Sequence, residues 1–275
     1  MQQLTQLDLC SGVGAGFCLA GLQCGFNLIG TAEIDEYCSG ILELRYPGIH
    51  NYGDVQSLAY TGAFGLRRGG IDLITASPPC PPFSTEGDRK GAADERDCFP
   101  AVLKIVNKYK PKFAAIENVT GLLTCPERIG DERGYFRYVL QQLSSGGYDA
   151  DWLTVGSGHT CAPFIRERVL LVAVSRSLEL QWQGATTWTD QARGWIEGFR
   201  IAATRRGIEP GYPLRVVRTP AELARPLGVK SGNGIIRKQR AAAGNLLDPR
   251  VAAIALNRVL YLNSLCREPA ATYQG

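Results

Sequence analysis

Six short strand-like runs recur along the first 175 residues, each closed by glycine, proline or a charged group: Leu4–Leu9, Asn27–Ala32, Ile71–Ala76, Phe113–Val119, Tyr148–Val155 and Val169–Val174. Stretches with helical spacing lie between them, near 36–46, 98–109 and 134–143. Apolar runs of this length read as strands buried in a parallel sheet. Strands that alternate with helices predict a doubly wound, mostly parallel α/β domain. Such sheets take their ligands beyond the carboxyl ends of the strands. The residues that end each run are therefore the ones to read for chemistry.

With a further strand counted near Gly53-Asp54-Val55, Ile71–Ala76 is the fourth, and it runs into Ser77-Pro78-Pro79-Cys80-Pro81-Pro82-Phe83-Ser84. Proline fixes its own φ and pushes the preceding residue into extended geometry, so Cys80 is expected on a stiff loop at a strand end. A lone cysteine is usually core filling. Proline on both sides points instead to a nucleophile. The first strand opens into Asp8-Leu9-Cys10-Ser11-Gly12-Val13-Gly14-Ala15-Gly16, a glycine-rich turn at a helix start, where a ligand can approach the backbone. The second ends at Glu33-Ile34-Asp35, an acid well spaced to accept from a ribose. Asp54, in Gly53-Asp54-Val55, is expected to face the same pocket. Glu117 and Asn118 end the strand after Cys80, and Arg166 and Arg168 alternate ahead of the last strand, pointing to one side if extended. The polar stretch 85–97 has no apolar period and reads as a lid.

Charge is unevenly spread. Residues 1–100 carry 6 Lys/Arg against 12 Asp/Glu, and the whole chain is +4, so the remainder is strongly basic. Arginine offers a fork matched to phosphate, and Arg193, Arg205, Arg206, Arg215 and Arg218 are candidate contacts. Nine cysteines, none in a Cys-x-x-Cys pair, and two histidines argue against zinc and for free thiols in a cytoplasmic setting. No apolar run is long enough to cross a bilayer. Beyond Ser175 the alternation stops. Residues 176–230 read as a small irregular lobe, and 231–275 as a return segment whose last helix, 248–265, docks on the domain formed by 1–175.

The ordered set of motifs resembles the DNA (cytosine-5)-methyltransferase family. The carriers are the 8–14 loop, Pro78-Pro79-Cys80, Glu117-Asn118-Val119, Arg166-Glu167-Arg168, and Ala243-Gly244-Asn245 ahead of a helix. The resemblance implies a Rossmann-like methyltransferase sheet and S-adenosylmethionine as cofactor, with no metal. It implies double-stranded DNA as partner, a chain working as a monomer, and it admits a cognate restriction endonuclease. Cys80, Glu117, Arg166 and Arg168 become the catalytic set. Asp8, Cys10, Ser11, Gly12, Gly14, Glu33, Ile34, Asp54, Pro79 and Asn245 become the donor site, with Glu33 on the ribose and Asp54 on the adenine amino group. Ser84, Arg96 and Asn118 are implied at the substrate. The family usually has an aromatic residue where this chain has Cys10. Its target-recognition domain is longer than 176–230, so phosphate contacts are expected to dominate affinity.

Other readings of the same residues stay open at this point. A dinucleotide-dependent oxidoreductase would use Gly12, Gly14 and Glu33 but leaves Cys80 and the arginines without a role. A Cys–His hydrolase would pair Cys80 with His50 or His159. An inactive DNA-binding homologue and an RNA cytosine methyltransferase would share the motifs.

Overall fold

A computed structural model of the chain describes residues 3–62, 65–79, 96–126, 134–162, 166–205, 238, 242 and 246–267. Six strands form one sheet: β1 (Thr5–Leu9), β2 (Asn27–Ala32), β3 (Leu73–Ala76), β4 (Phe113–Val119), β5 (Tyr148–Gly156) and β6 (Glu167–Ser175). Their order is β2-β1-β3-β4-β6-β5. Strands β2, β1, β3 and β4 run parallel, whereas β6 is antiparallel to both β4 and β5. The result is the expected mostly parallel α/β sheet. Its order reverses between β1 and β3, because the chain adds β2 on one side of β1 and everything later on the other. A crevice opens beyond the carboxyl ends at such a switch point.

Two helical layers cover the sheet. One holds α3 (Val55–Thr61), α4 (Phe99–Tyr109) and α5 (Tyr135–Ser145), and the other holds α1 (Phe17–Cys24), α6 (Trp188–Arg205) and α7 (Pro249–Ser264). Strand periodicity sorts side chains between them. Leu7, Leu9, Ile74, Ala76, Ala114 and Ile116 pack into the first layer, and Leu73, Phe113, Ala115, Leu170 and Val172 into the second. A further helix, α2 (Glu36–Arg45), sends Cys38 and Ile41 against Val13 and Ala15 of the glycine-rich turn.

Two expectations change. The segment at Gly53-Asp54-Val55 does not add a strand, since Asn51 makes only an isolated bridge to Thr31, and Leu73–Ala76 is thus the third strand. Asp54 instead caps α3, accepting from the N–H groups of Gln56 and Ser57. Satisfying the orphan donors of a helix start competes directly with strand formation here. The lobe beyond Ser175 is also not irregular throughout, for α6 is an 18-residue helix within it. Trp188 and Ala192 are buried, with Trp195 and Ile196 packed beside them, at helical spacings of four, seven and eight. Gly194 and Gly198, poor helix formers inside α6, hide the helix from a reading of propensity. Arg258 of α7 ties it to α6 by donating to the Thr186 carbonyl, just ahead of that helix, and to Gln191 Oε1. No helix among the described residues is long and apolar enough to cross a membrane.

Candidate active site

The turn after β1 is shaped from two directions. Gly12 has φ +54°, and a Cβ built there would meet nothing within 4 Å, so this residue faces open space. Gly14 also has positive φ, but its Cβ would run into Tyr46 and Leu42. Tyr46 donates its hydroxyl to the Gly14 carbonyl, and Arg45 Nη1 donates to that of Val13 at 2.8 Å. The end of α2 thus holds the loop's carbonyls. Opposite them stands Glu33, whose Oε2 accepts from Gly12 N at 2.7 Å and Oε1 from Asp35 N at 2.9 Å. Burial pushes the Glu33 carboxyl upward, and those two N–H groups oppose the shift.

At the other end of the sheet edge lies a buried ion pair. Arg168 Nε meets Glu117 Oε1 at 2.6 Å. Antiparallel pairing explains it: Glu117 lies opposite Leu170, so Arg168, two residues earlier on β6, projects from the same face as its diagonal neighbour. Burial raises the pKa of Glu117, while Arg168, Arg166 and a hydrogen bond from Ser77 pull it back without cancelling the rise. Asn118, on the opposite face of β4, donates from Nδ2 to the Pro78 carbonyl at 3.0 Å. That bond fastens β4 to the proline segment that leads to Cys80.

One cavity of about 400 Å³ joins the two ends. Of the residues expected from sequence, Cys10, Gly12, Glu33, Pro79, Arg96, Glu117, Asn118, Arg166 and Arg168 line it. Asp8 does not: it lies beneath the loop, accepting from Thr75 Oγ1 and Cys18 Sγ. Ser11 turns its hydroxyl to the Asp8 carbonyl. Gly14 packs on α2, and Asp54 spends its carboxylate on the α3 cap, with those hydrogen bonds holding its pKa down against burial. Ile34 is 70% exposed, bare apolar surface beside Glu33. Cys80, Ser84, Asn245 and the 85–95 part of the expected lid lie outside the described residues. Asp35, Cys38, Ser77, Lys238 and Ala242 also line the cavity, and sequence reasoning did not single them out. Lys238 and Ala242 stand four apart, one helical turn, but no motif marked that spacing. Neither histidine lines the cavity; His159 Nδ1 accepts from Gly156 N, and His50 stacks edge-on against Tyr52.

The family model for the C-5 cytosine-specific DNA methylases matches residues 4–201, most of the chain. The chain belongs to that family. Among curated relatives, it is 33% identical over 173 residues to the type II methyltransferase M.NgoMIV of Neisseria gonorrhoeae, a match covering 62% of this chain and 52% of that protein. It is 27% identical over 249 residues to the type II methyltransferase M.NaeI of Lentzea aerocolonigenes, covering 81% and 58%. The chain therefore spans little more than half the length of these methylases. Two solved structures share the fold. A putative DNA modification methyltransferase encoded within an E. coli prophage superposes with a TM-score of 0.59 at 18% identity, covering 95% of this chain and all of that one. The S. pombe Dnmt2 methyltransferase gives 0.58 at 15% identity, covering 96% and 99%.

C-5 cytosine methylases use S-adenosylmethionine as methyl donor. The cavity fits such a group on its own terms. A volume of about 400 Å³ is in the range of small-molecule sites. Open space over Gly12 admits a ligand against the backbone, and Glu33 keeps lone pairs beyond the two that its N–H partners occupy. In this chain the thiol of Cys10 stands in the wall and shares a hydrogen bond with Cys98, ahead of α4.

Proposed function

We propose that this methylase moves a methyl group from S-adenosylmethionine to carbon 5 of a flipped-out cytosine in double-stranded DNA, through a transient covalent bond from Cys80. One observation carries the reading: the glycine turn with Glu33 and the buried Glu117–Arg168 pair face a single cavity, with Pro78 and Pro79, the two residues before Cys80, in its wall.

The donor supplies an electrophilic methyl group; the protein has to make carbon 5 nucleophilic. Addition of the Cys80 thiolate at carbon 6 turns the ring into an enamine. The charge that this places on the ring falls on nitrogen 3 and the exocyclic oxygen. Glu117 protonates nitrogen 3, a task suited to a carboxyl whose pKa burial has raised. Arg168 has Nε on Glu117 and Nη1 on the Glu167 carbonyl, which leaves Nη2 to hold the exocyclic oxygen. Arg166 adds positive potential on the same side, and Asn118 keeps the proline segment in register with β4. Loss of the carbon 5 proton and elimination then free Cys80. Because these ring atoms are hidden in a duplex, the base has to leave the stack first.

The test is a duplex carrying 5-fluorocytosine, from which fluorine cannot leave as a proton does. With S-adenosylmethionine present, the native chain should form a covalent complex stable to denaturing electrophoresis. Cys80→Ala should form none yet still bind S-adenosylhomocysteine. Trapping that survives in the variant would remove Cys80 from its role, and trapping on RNA alone would move the substrate out of DNA.

A further inference from the structure

Asn51 has no part in the chemistry above, yet its side chain spends every hydrogen-bonding direction beside the donor carboxylate. Its Oδ1 accepts from Glu33 N at 2.9 Å and Gly53 N at 3.1 Å. Nδ2 donates to the Glu33 carbonyl and to Ser39 Oγ, both at 3.0 Å. Ser39 Oγ donates in turn to the same Glu33 carbonyl, also at 3.0 Å. A primary amide has two donors and two acceptor sites, so this one is fully used. The reversed amide would set oxygen against a carbonyl and NH2 against two N–H groups, so the partners decide its orientation.

The position explains the need. Strand β2 ends at Ala32, and the backbone of Glu33 falls just past its ladder with β1. A residue there has a free N–H, a free carbonyl and no neighbour to fix its Cα. Asn51 supplies that neighbour. The chain on either side of it docks on β2, with Thr31 N donating to the His50 carbonyl and Tyr52 N to the Thr31 carbonyl. The Asn51 side chain then extends the pairing by one residue and brackets both backbone groups of Glu33. With the Cα held, the carboxylate reaches Gly12 N at 2.7 Å and Asp35 N at 2.9 Å.

We propose that Asn51 is a positioning residue for the methyl donor, acting through Glu33: it fixes the backbone from which the ribose-binding carboxylate projects. The inference rests on the donor site assigned above. A carboxylate serves a ligand hydroxyl only when its own direction is fixed, and that direction comes from the residues behind it. Asn51 itself is half-buried and belongs to none of the hydrophobic clusters, so its removal leaves the core packing in place.

The experiment is a double-mutant cycle read by calorimetric titration with S-adenosylhomocysteine. Asn51→Ala should weaken binding about tenfold, the scale on which loss of a supporting partner acts. In a Glu33→Gln background the same substitution should change affinity less than about twofold, because the path through the carboxylate is already broken. In turnover, Asn51→Ala should raise the KM for the donor and leave kcat at saturating donor within about twofold. Equal losses in both backgrounds would mean that Asn51 acts on the cavity independently of Glu33, and would overturn the inference. Unchanged affinity would overturn it as well. If Asn51→Ala fails to fold, Ser39→Ala removes one leg of the same bracket and should show a smaller loss with the same dependence on Glu33; no loss, or one independent of Glu33, counts against it. A native chain with no affinity for S-adenosylhomocysteine would sink the donor site itself, and this inference with it.

Discussion

Glu117 sits between two opposing influences. Burial raises its pKa, and the guanidinium 2.6 Å away, with Arg166 and Ser77, limits the rise. The outcome is a carboxyl that holds a proton at higher pH than a solvated one. Glu117→Gln keeps the shape and a donor N–H but has no proton to give up. Methyl transfer in a single turnover at saturating DNA should slow by roughly 10²-fold or more. The native rate should fall on the alkaline side, where Glu117 loses its proton, and the Gln variant should lack that limb. An unchanged rate would reduce Glu117 to a structural partner of Arg168. Asn118 was legible as a residue at the right strand end, but its partner was not. A strand's alternation puts it on the opposite face from Glu117, where the Pro78 carbonyl lies.

Beneath the glycine turn, β1, β3 and α1 share a buried polar row. Gln6 Nε2 donates to Thr75 Oγ1 and the Phe17 carbonyl, Thr75 donates to Asp8, and Cys18 Sγ donates to the other Asp8 oxygen. Full burial pushes the Asp8 carboxyl up to about 6, against the hydrogen bonds that favour its ionised form. A raised pKa means that the folded state binds this proton more tightly than the unfolded chain. Its contribution to stability is present at pH below about 4 and is lost as pH rises through about 6. The effect is roughly 3 kcal/mol. Glu33 and Glu117 add the same sign, and the lowered Asp54 and Asp72 the opposite one. Asp8→Asn removes one titrating group and keeps its volume. Thermal melts from pH 4 to 7 should fall less steeply for the variant than for the native chain. Parallel curves would show that Asp8 titrates alike in both states.

Over the whole molecule the charge is polarised, with the excess of acids in residues 1–100 and the excess of bases beyond. On α6, Arg193 and Arg200 are well exposed, each beside an acid three residues earlier at 3.4 and 3.6 Å. Exposed pairs of that kind contribute little to stability and yield readily to a phosphate. Duplex binding should therefore weaken steeply with salt, and each phosphate contact removed should lower the log–log slope by about one. Arg193→Ala with Arg200→Ala should weaken all sequences roughly equally if these residues meet the backbone. A salt-insensitive affinity, or a loss confined to one sequence, would place base readout in this helix.

Local windows of the chain specify the strands, the glycine turn, the proline segment and the acids at strand ends, because periodicity and turn chemistry act between near neighbours. They also specify the C-terminal helix, whose buried stripe of Val251, Ile254, Ala255, Val259 and Leu262 is interrupted by Arg258 alone. Which carboxylate faces the cavity is another matter. Asp8 and Glu33 both end strands, yet strand parity turns Asp8 under the loop, and the α3 cap claims Asp54. The decisive pairing, Glu117 with Arg168, joins residues 51 positions apart in the chain. It exists because β6 enters between β4 and β5 in the antiparallel sense, which brings the start of β6 to the edge where β4 ends. No local pattern records that insertion. It is settled by the packing of two helical layers on one sheet, and only there do the glycine turn and the Glu117–Arg168 pair come to share a cavity.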